Sequence, residues 1–467
     1  MDRMTKEQLY ALLVPYGQQH LLAFWDRLGP AERESLAQEV QAIDYALVAQ
    51  LRHRTGAKDE FHSLTERATG PTAVRLGDPG NPFGPQQARR SGEEALRAGQ
   101  VGVVLVAGGQ GTRLGYNHPK GMFPIGPVSG KSLFQIHVEK VLAASRRYRA
   151  PIPLCLMTSP ATHDETLEFF ARNGRFGLPE EDFMVFCQGT MPAVDMATWR
   201  ILLSEPGHVA LSPDGHGGML AALARSGCLA ELRRRGIRQV FYFQVDNALV
   251  DVCGPEFLGY HLLSGAEFTT QVVAKRTPVD RVGNLVQVDG RLRMIEYIDL
   301  PLEAASRRHP DGSLVLWAGS IAVHCLDTAF LERMAQKADA LPFHLAQKRV
   351  PFVDESGRRV EPQSPNAIKF ERFIFDLLPF AASALAVEVD RHQHFAPLKN
   401  APGESHDSPD WVKARIADVH AGWLREAGVD VAEGTPVEIS PLLALDAEEL
   451  AQKVPTGLRI NSPTYFC

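Results

Sequence analysis

Residues 101–115 read VGVVLVAGGQGTRLG. An apolar run of strand length passes straight into glycines, which lets backbone N–H groups approach an anion without side chains in the way. The glycines fit neither common nucleotide loop. After Gly109 and Gly111 the next glycine, Gly115, falls one residue late for the dinucleotide pattern, and no Lys-Ser/Thr pair follows it as a P-loop requires. A second candidate, GPVSGKS at 126–132, has three residues between its glycines where four are needed, and it follows no buried strand. Glycine alone would suit a tight strand-to-helix turn equally well. Arg113 and Lys120, two cations within one short loop, tilt the reading toward a polyphosphate, which a guanidinium and an ammonium beside N–H donors suit.

Downstream, further apolar runs (PIPLCLMTS, FMVFCQG, QVFYFQVDN) alternate with amphipathic segments such as SLFQIHVEKVLAASRRY. Strand and helix in alternation predict parallel crossovers and an α/β sheet covered on both faces, with ligands at the carboxyl ends of the strands. Between 267 and 326 the pattern turns strand-rich, and Asp289-Gly290 between alternating runs predicts a hairpin beside the main sheet. Upstream, EQLYALLVPYGQQHLLAFWDRL and ESLAQEVQAIDYALVAQLRHR carry apolar residues at helical spacing, separated by GPAERE. A Gly/Pro-rich connection from 70 to 85 precedes a helix near 92–98. The expected division is a helical unit over 1–95, a nucleotide-binding α/β domain over 96–385, and a small C-terminal domain over 386–467.

Composition narrows the partners. In 467 residues, 49 Lys+Arg against 55 Asp+Glu leave a net charge of −6, which disfavours a general nucleic-acid or anionic-membrane binder. No apolar run approaches the roughly 20 residues of a spanning helix, and the N-terminal stretch is broken by charge, so the expected location is cytoplasmic. The six cysteines are far apart with no C-x-x-C pair and read as reduced thiols. His392 and His394 lack a nearby third ligand and read as surface histidines rather than a metal pair.

The loop LVAGGQGTRLGYNHPKGMFPIG resembles that of the UTP-dependent sugar-1-phosphate uridylyltransferases, most nearly the UDP-N-acetylhexosamine pyrophosphorylases. The likeness continues in order through QGTMPAVD, LSPDGHGGMLAAL, FYFQVDNALV, RVGNLVQVDGRLRMIEY, WAGSIAVHCL, AIKFERFIFD and FAPLKNA. It implies a nucleotide-diphospho-sugar transferase fold, a Rossmann-like mixed sheet flanked by helices, with Mg²⁺ as cofactor. It also implies UTP and a sugar 1-phosphate as substrates; the charge balance adds the expectation of no nucleic-acid or membrane partner, and the expected form is a monomer or weak homo-oligomer.

Carried over by position, the resemblance places the backbone of Gly108, Gly109 and Gly111 at UTP, with Leu105 and Ala107 in the same nucleotide set and Arg113 and Lys120 at the phosphates. It gives uracil to Gln188 and Gly215, Mg²⁺ to Asp246, and the nucleotide and sugar phosphates to Lys369 and Lys399. Gly283, Glu296, Tyr297, His216 and Ser320 match the sugar-facing region. Seen alone, Asp246 would be a turn cap, Glu296-Tyr297 an alternating surface pair, and the lysines solvated. Two positions depart from the N-acetylhexosamine branch, which carries Asn where this chain has His216 and Ser320. The G-H-G at 215–217 is instead similar to that of UDP-glucose and broad UDP-sugar pyrophosphorylases. The expected sugar is therefore N-acetylglucosamine 1-phosphate, with glucose or galactose 1-phosphate as the alternative. A non-catalytic UDP-sugar binder is a further reading, which the joint presence of Arg113, Lys120, Asp246 and Lys399 disfavours. A sugar-nucleotide-consuming transferase would need a D-x-D motif, and Asp246 begins D-N-A.

Overall fold

A computed structural model describes residues 4–53, 58–337, 341–455 and 457–467. The chain divides into two compact units, one of Met1–Leu64, Gln188–Met219 and Asp339–Asp376, the other of Thr65–Cys187, Leu220–Ala338 and Leu377–Cys467. The second, larger unit holds a ten-stranded mixed sheet. Its strands are β1 (Ala73–Val74), β2 (Val101–Val106), β3 (Leu154–Thr158), β4 (Phe183–Cys187), β5 (Gln239–Gln244), β6 (Phe268–Ala274), β7 (Gly283–Val288), β8 (Arg291–Ile295), β9 (Ala318–Asp327) and β10 (Ala384–Glu388). The order across the sheet is β1-β10-β6-β9-β5-β2-β3-β4, with the β7–β8 hairpin attached through β9.

The apolar run that predicted a buried strand is β2, and every one of its residues is buried. It lies between two parallel neighbours, β5 and β3, with Gln244 opposite Val106 and Met157 opposite Val106 on the other side. Because β2 and β5 run in the same direction, the loops that leave them emerge at the same edge of the sheet. That topology puts the glycine loop beside Asp246. Asp289 and Gly290 both adopt positive φ (50° and 78°) between β7 and β8, the conformation that an Asp-Gly hairpin turn requires.

Helices α1 (Pro85–Arg97), α2 (Leu133–Tyr148), α3 (Pro255–Ser264) and α4 (Pro409–Glu426) cover this sheet. Helix α1 begins seven residues earlier than the 92–98 expectation, because Pro85 takes the first helical position, where its missing N–H costs nothing. Two glycines bring α1 and α3 close together: a Cβ at Gly92 would lie 1.9 Å from the Pro255 carbonyl oxygen, and one at Gly259 would lie 1.6 Å from that of Ala88. Segment 386–467 groups with this unit. Val412, Ile416 and Val419 of α4 join the main core, while Leu424, Val437, Ile439, Leu450 and Ile460 gather in a smaller one.

In the other unit, Leu9, Leu13, Leu36 and Val40 of the N-terminal helices share a core with Val194, Ile201, Ile368 and Phe370. Two local expectations are corrected here. The stretch from Val14 to Arg27 forms short 3-10 turns rather than a continuing α-helix, because Pro15 interrupts it and Gly17 turns left-handed (φ 67°). The GPAERE stretch is not a separator: Gly29 caps the helix Pro30–Ala42, with Pro30 in the first position and the Glu32 carboxylate accepting from the Gly29 N–H at 2.7 Å. The helical pattern that continues past His53 crosses residues 54–57, outside the described residues.

Buried histidines make the stability pH-dependent. Desolvation pushes His137 down to about 3 and His261 down to about 4, and both side chains are buried. A depressed folded-state pKa means that the stabilisation is complete above the unfolded value near 6.5 and is lost as pH falls through the folded value, at up to about 1.4 kcal/mol per pH unit per group. Urea unfolding free energies are therefore expected to fall steadily between about pH 6.5 and 4, and His261→Asn to flatten that slope. An identical slope in the variant would refute the assignment.

Candidate active site

The glycine loop is shaped by its own backbone. The Ser159 hydroxyl donates to the Gly108 carbonyl at 2.7 Å, the Lys120 N–H to the Gly109 carbonyl at 3.0 Å, and the Gly111 N–H to the His118 carbonyl at 2.9 Å. These bonds consume carbonyls on the inner side. Among the described residues, the N–H groups of Gly108, Gly109 and Gln110 donate to nothing. A Cβ at Gly111 would press on the Tyr116 carbonyl oxygen at 2.8 Å, so glycine there is a packing requirement. At Gly109 a Cβ would meet nothing within 4 Å, so no packing need accounts for glycine there. Open space above free N–H donors is the arrangement of an anion cradle.

The cations frame this cradle. Arg113, in the turn Thr112–Leu114, is exposed and has no ion-pair partner among the described residues. Lys120 is mostly buried; its Nζ donates to the Leu398 carbonyl at 3.3 Å and stands 4.0 Å from Asp246 Oδ2. Asp246 follows β5, and its own carbonyl accepts the Leu398 N–H at 2.8 Å. Lys399 comes next in the chain, exposed, its backbone N–H tied to the Asp407 carbonyl at 2.8 Å. Leu105 and Ala107 are fully buried at the base of the loop, where the Ala107 N–H donates to the Met157 carbonyl at 2.8 Å.

The same unit brings three of the sugar-matched residues together. Gly283 pairs directly with Ser320 across β7 and β9, and a Cβ at Gly283 would lie 3.6 Å from Glu296 Oε1. Ser320 precedes Ala322, whose positive φ (57°) lies in the irregularity of β9 opposite β6, and the Ser320 hydroxyl accepts the Ala322 N–H at 3.3 Å. Tyr297 lies past the end of β8, is 43% exposed, and makes no hydrogen bond among the described residues. Sequence reasoning missed two neighbours of this patch. Lys275 is buried with its Nζ on Asn284 Oδ1 at 2.6 Å, directly beside Gly283.

The smaller unit carries Gln188, Gly215, His216 and Lys369. Gln188 is buried. Gly215 has φ 84°, and a Cβ there would lie 2.4 Å from the Arg372 carbonyl oxygen, so only glycine fits. His216 stacks on Phe373 with ring centroids 5.2 Å apart, and burial, then the nearby His344, push its imidazole down to about 4. The neutral ring accepts the Ile374 N–H at Nδ1 (3.2 Å), which leaves its proton on Nε2 as a donor. Lys369 sits on the strand Ala367–Glu371, and burial lowers its ammonium pKa.

A buried parallel strand thus feeds an open, N–H-lined glycine loop, with Lys120 and Asp246 close together beside it, an arrangement suited to a polyphosphate. Residues 81–403 match the UTP–glucose-1-phosphate uridylyltransferase family, and the chain belongs to that family. It is 36% identical to the UDP-N-acetylhexosamine pyrophosphorylase-like protein 1 of Homo sapiens, over 96% of this chain and 94% of that one. It is 38% identical to the UDP-N-acetylglucosamine pyrophosphorylase of Saccharomyces cerevisiae, over 78% of each. The crystal structure of the uridine diphosphate N-acetylglucosamine pyrophosphorylase from Trypanosoma brucei superposes with a TM-score of 0.81 at 26% identity, covering 99% of both chains. The protein is thus an enzyme, a uridylyltransferase of the pyrophosphorylase type. No helix among the described residues is long and apolar enough to cross a membrane.

Proposed function

We propose that the enzyme transfers the uridylyl group of UTP to N-acetylglucosamine 1-phosphate, releasing pyrophosphate. The observation that carries this reading is the open loop whose N–H groups at Gly108 to Gln110 donate to nothing among the described residues, flanked by Arg113, which has no ion-pair partner among them, and by Lys120 beside Asp246. In the reaction an oxygen of the sugar phosphate attacks the α-phosphorus of UTP in line as pyrophosphate leaves. The attacking oxygen is already ionised, so the chain needs no base; it needs cations and N–H dipoles where charge crowds. We assign the loop, Arg113 and Lys120 to the triphosphate, Lys399 and Lys369 to the phosphates of the reactants, and Gln188 and Gly215 to uracil.

Asp246 would hold Mg²⁺. A single carboxylate suits this ion, which keeps several waters and completes its shell with substrate phosphate oxygens rather than with a protein cage. Bound there, Mg²⁺ supplies charge neutralisation at the phosphate oxygens. All six cysteines are unpaired, in keeping with a reducing, cytoplasmic setting. We take the working form to be a monomer or weak homo-oligomer, which light scattering at assay concentration measures.

Pyrophosphate release from UTP, Mg²⁺ and a panel of sugar 1-phosphates tests the proposal, with N-acetylglucosamine 1-phosphate expected to turn over fastest. Silence across the panel would refute it. The names of the human and yeast relatives support the N-acetylated sugar. A second reading, glucose or galactose 1-phosphate, is favoured by His216, whose Nδ1 accepts the Ile374 N–H and so provides no acceptor where an amide would provide one. His216→Asn is expected to raise the preference for N-acetylglucosamine 1-phosphate over glucose 1-phosphate by about tenfold in kcat/KM, the scale of one hydrogen bond in a pocket. An unchanged ratio would remove His216 from sugar selection.

A further inference from the structure

Asp246 is held from two sides, and its chain neighbour does half of the holding. Asn247 is 3% exposed. Its Oδ1 accepts the N–H of Ala396 at 3.0 Å and that of Leu249 at 3.3 Å, and its Nδ2 donates to the His394 carbonyl at 2.8 Å. One carboxamide thus ties the loop after β5 to the segment that ends in Leu398 and Lys399. Backbone pairing continues the connection, with Asn247 opposite Pro397 and the Leu398 N–H on the Asp246 carbonyl.

Helix α2 grips the same loop from behind. His137 Nε2 donates to the Val245 carbonyl at 3.0 Å, and Lys140 Nζ donates to the carbonyls of Ala248 and Val250 at 2.7 Å each. His137 and Lys140 are three residues apart and so share a helix face. The carbonyls they hold come just before and just after Asp246. Only an amide can meet the demands at 247, because it must accept twice and donate once within one plane. An aspartate of the same shape could accept but would set an oxygen against the His394 carbonyl.

We propose that Asn247 is a positioning residue that fixes the spacing between Asp246 and Lys399, with His137 and Lys140 bracing the loop from α2. The inference rests on the reading that Asp246 serves the metal and Lys399 the phosphates. Neither Asn247, His137 nor Lys140 touches substrate in this scheme. Their effect comes through geometry, and a displacement of about 1 Å at reacting groups costs about 100-fold in rate.

The test uses the full chain as Asn247→Asp, with Mn²⁺ as the probe in place of Mg²⁺. Turnover is followed by pyrophosphate release, UTP affinity by calorimetry without metal, and Mn²⁺ affinity of the enzyme–UTP complex by electron paramagnetic resonance. The expected result is a loss of about 100-fold in kcat, metal-free UTP affinity unchanged, and Mn²⁺ bound about tenfold more weakly. Turnover within threefold of the parent with unaltered Mn²⁺ affinity would overturn the proposal, since a purely structural amide would lower only the melting temperature. Should Asn247→Asp fail to fold, Lys140→Met decides: kcat is expected to fall about tenfold and Lys140→Arg to restore it, whereas full activity in Lys140→Met would overturn the bracing. Silence of the parent enzyme with every sugar phosphate would count against the proposed reaction alone, because the Mn²⁺ measurement still reports on Asn247.

Discussion

Arg113→Ala is expected to lower kcat for pyrophosphate release by about 10²- to 10³-fold, the range observed when one preorganised electrostatic contact to a developing charge is removed. Arg113 sits exposed on the turn Thr112–Leu114 with no ion-pair partner among the described residues, so its charge is available to a ligand. Its side chain is exposed, so the substitution should leave the melting temperature unchanged. Arg113→Lys should recover only part of the rate, because an ammonium keeps the charge without the planar pair of donors. Wild-type turnover in Arg113→Ala would show that the phosphates lie elsewhere.

Asp246→Asn should be the more damaging change, with a loss on the order of 10³-fold, since it removes the carboxylate proposed for Mg²⁺ while keeping the shape of the side chain. Lys120 Nζ, 4.0 Å from Asp246 Oδ2, would also lose its nearby anion. The diagnostic is a metal titration. If Asp246 holds the ion, the variant needs a much higher Mg²⁺ concentration to reach half of its residual rate. A variant with a low rate but an unchanged Mg²⁺ requirement would place Asp246 outside the metal site.

The parts of this molecule that were legible in the sequence are those written in short stretches of chain. The strand β2 announced itself by an unbroken apolar run, the hairpin by Asp289-Gly290, and the open loop after β2 by its glycines. Helix starts were less legible, because Pro30 and Pro85 read as breakers when they stand in the one helical position that suits proline. Least legible were relations between distant residues. Nothing local indicates that Gly283 pairs with Ser320, or that Lys275 lies buried against Asn284. Asn247 escaped notice for another reason: it follows an aspartate with obvious chemistry, and an amide beside a carboxylate reads as part of the same turn. The only available sign was its place at the end of a strand, where a polar side chain with no solvent must find partners in another segment.

The composition of the smaller unit also bears on how the chain is made. Leu9, Leu13 and Leu36 find their core partners in Ile368 and Phe370, some 330 to 360 residues later in the chain. A ribosome adding roughly 5 to 20 residues per second reaches that point only after about 20 to 70 s. Before then the N-terminal helices bury part of their apolar surface against one another, and Val194 and Ile201 join them well ahead of Ile368 and Phe370. The smaller unit thus closes its core only when segments from three distant parts of the chain have met, which makes its completion a step dominated by contacts of long sequence separation.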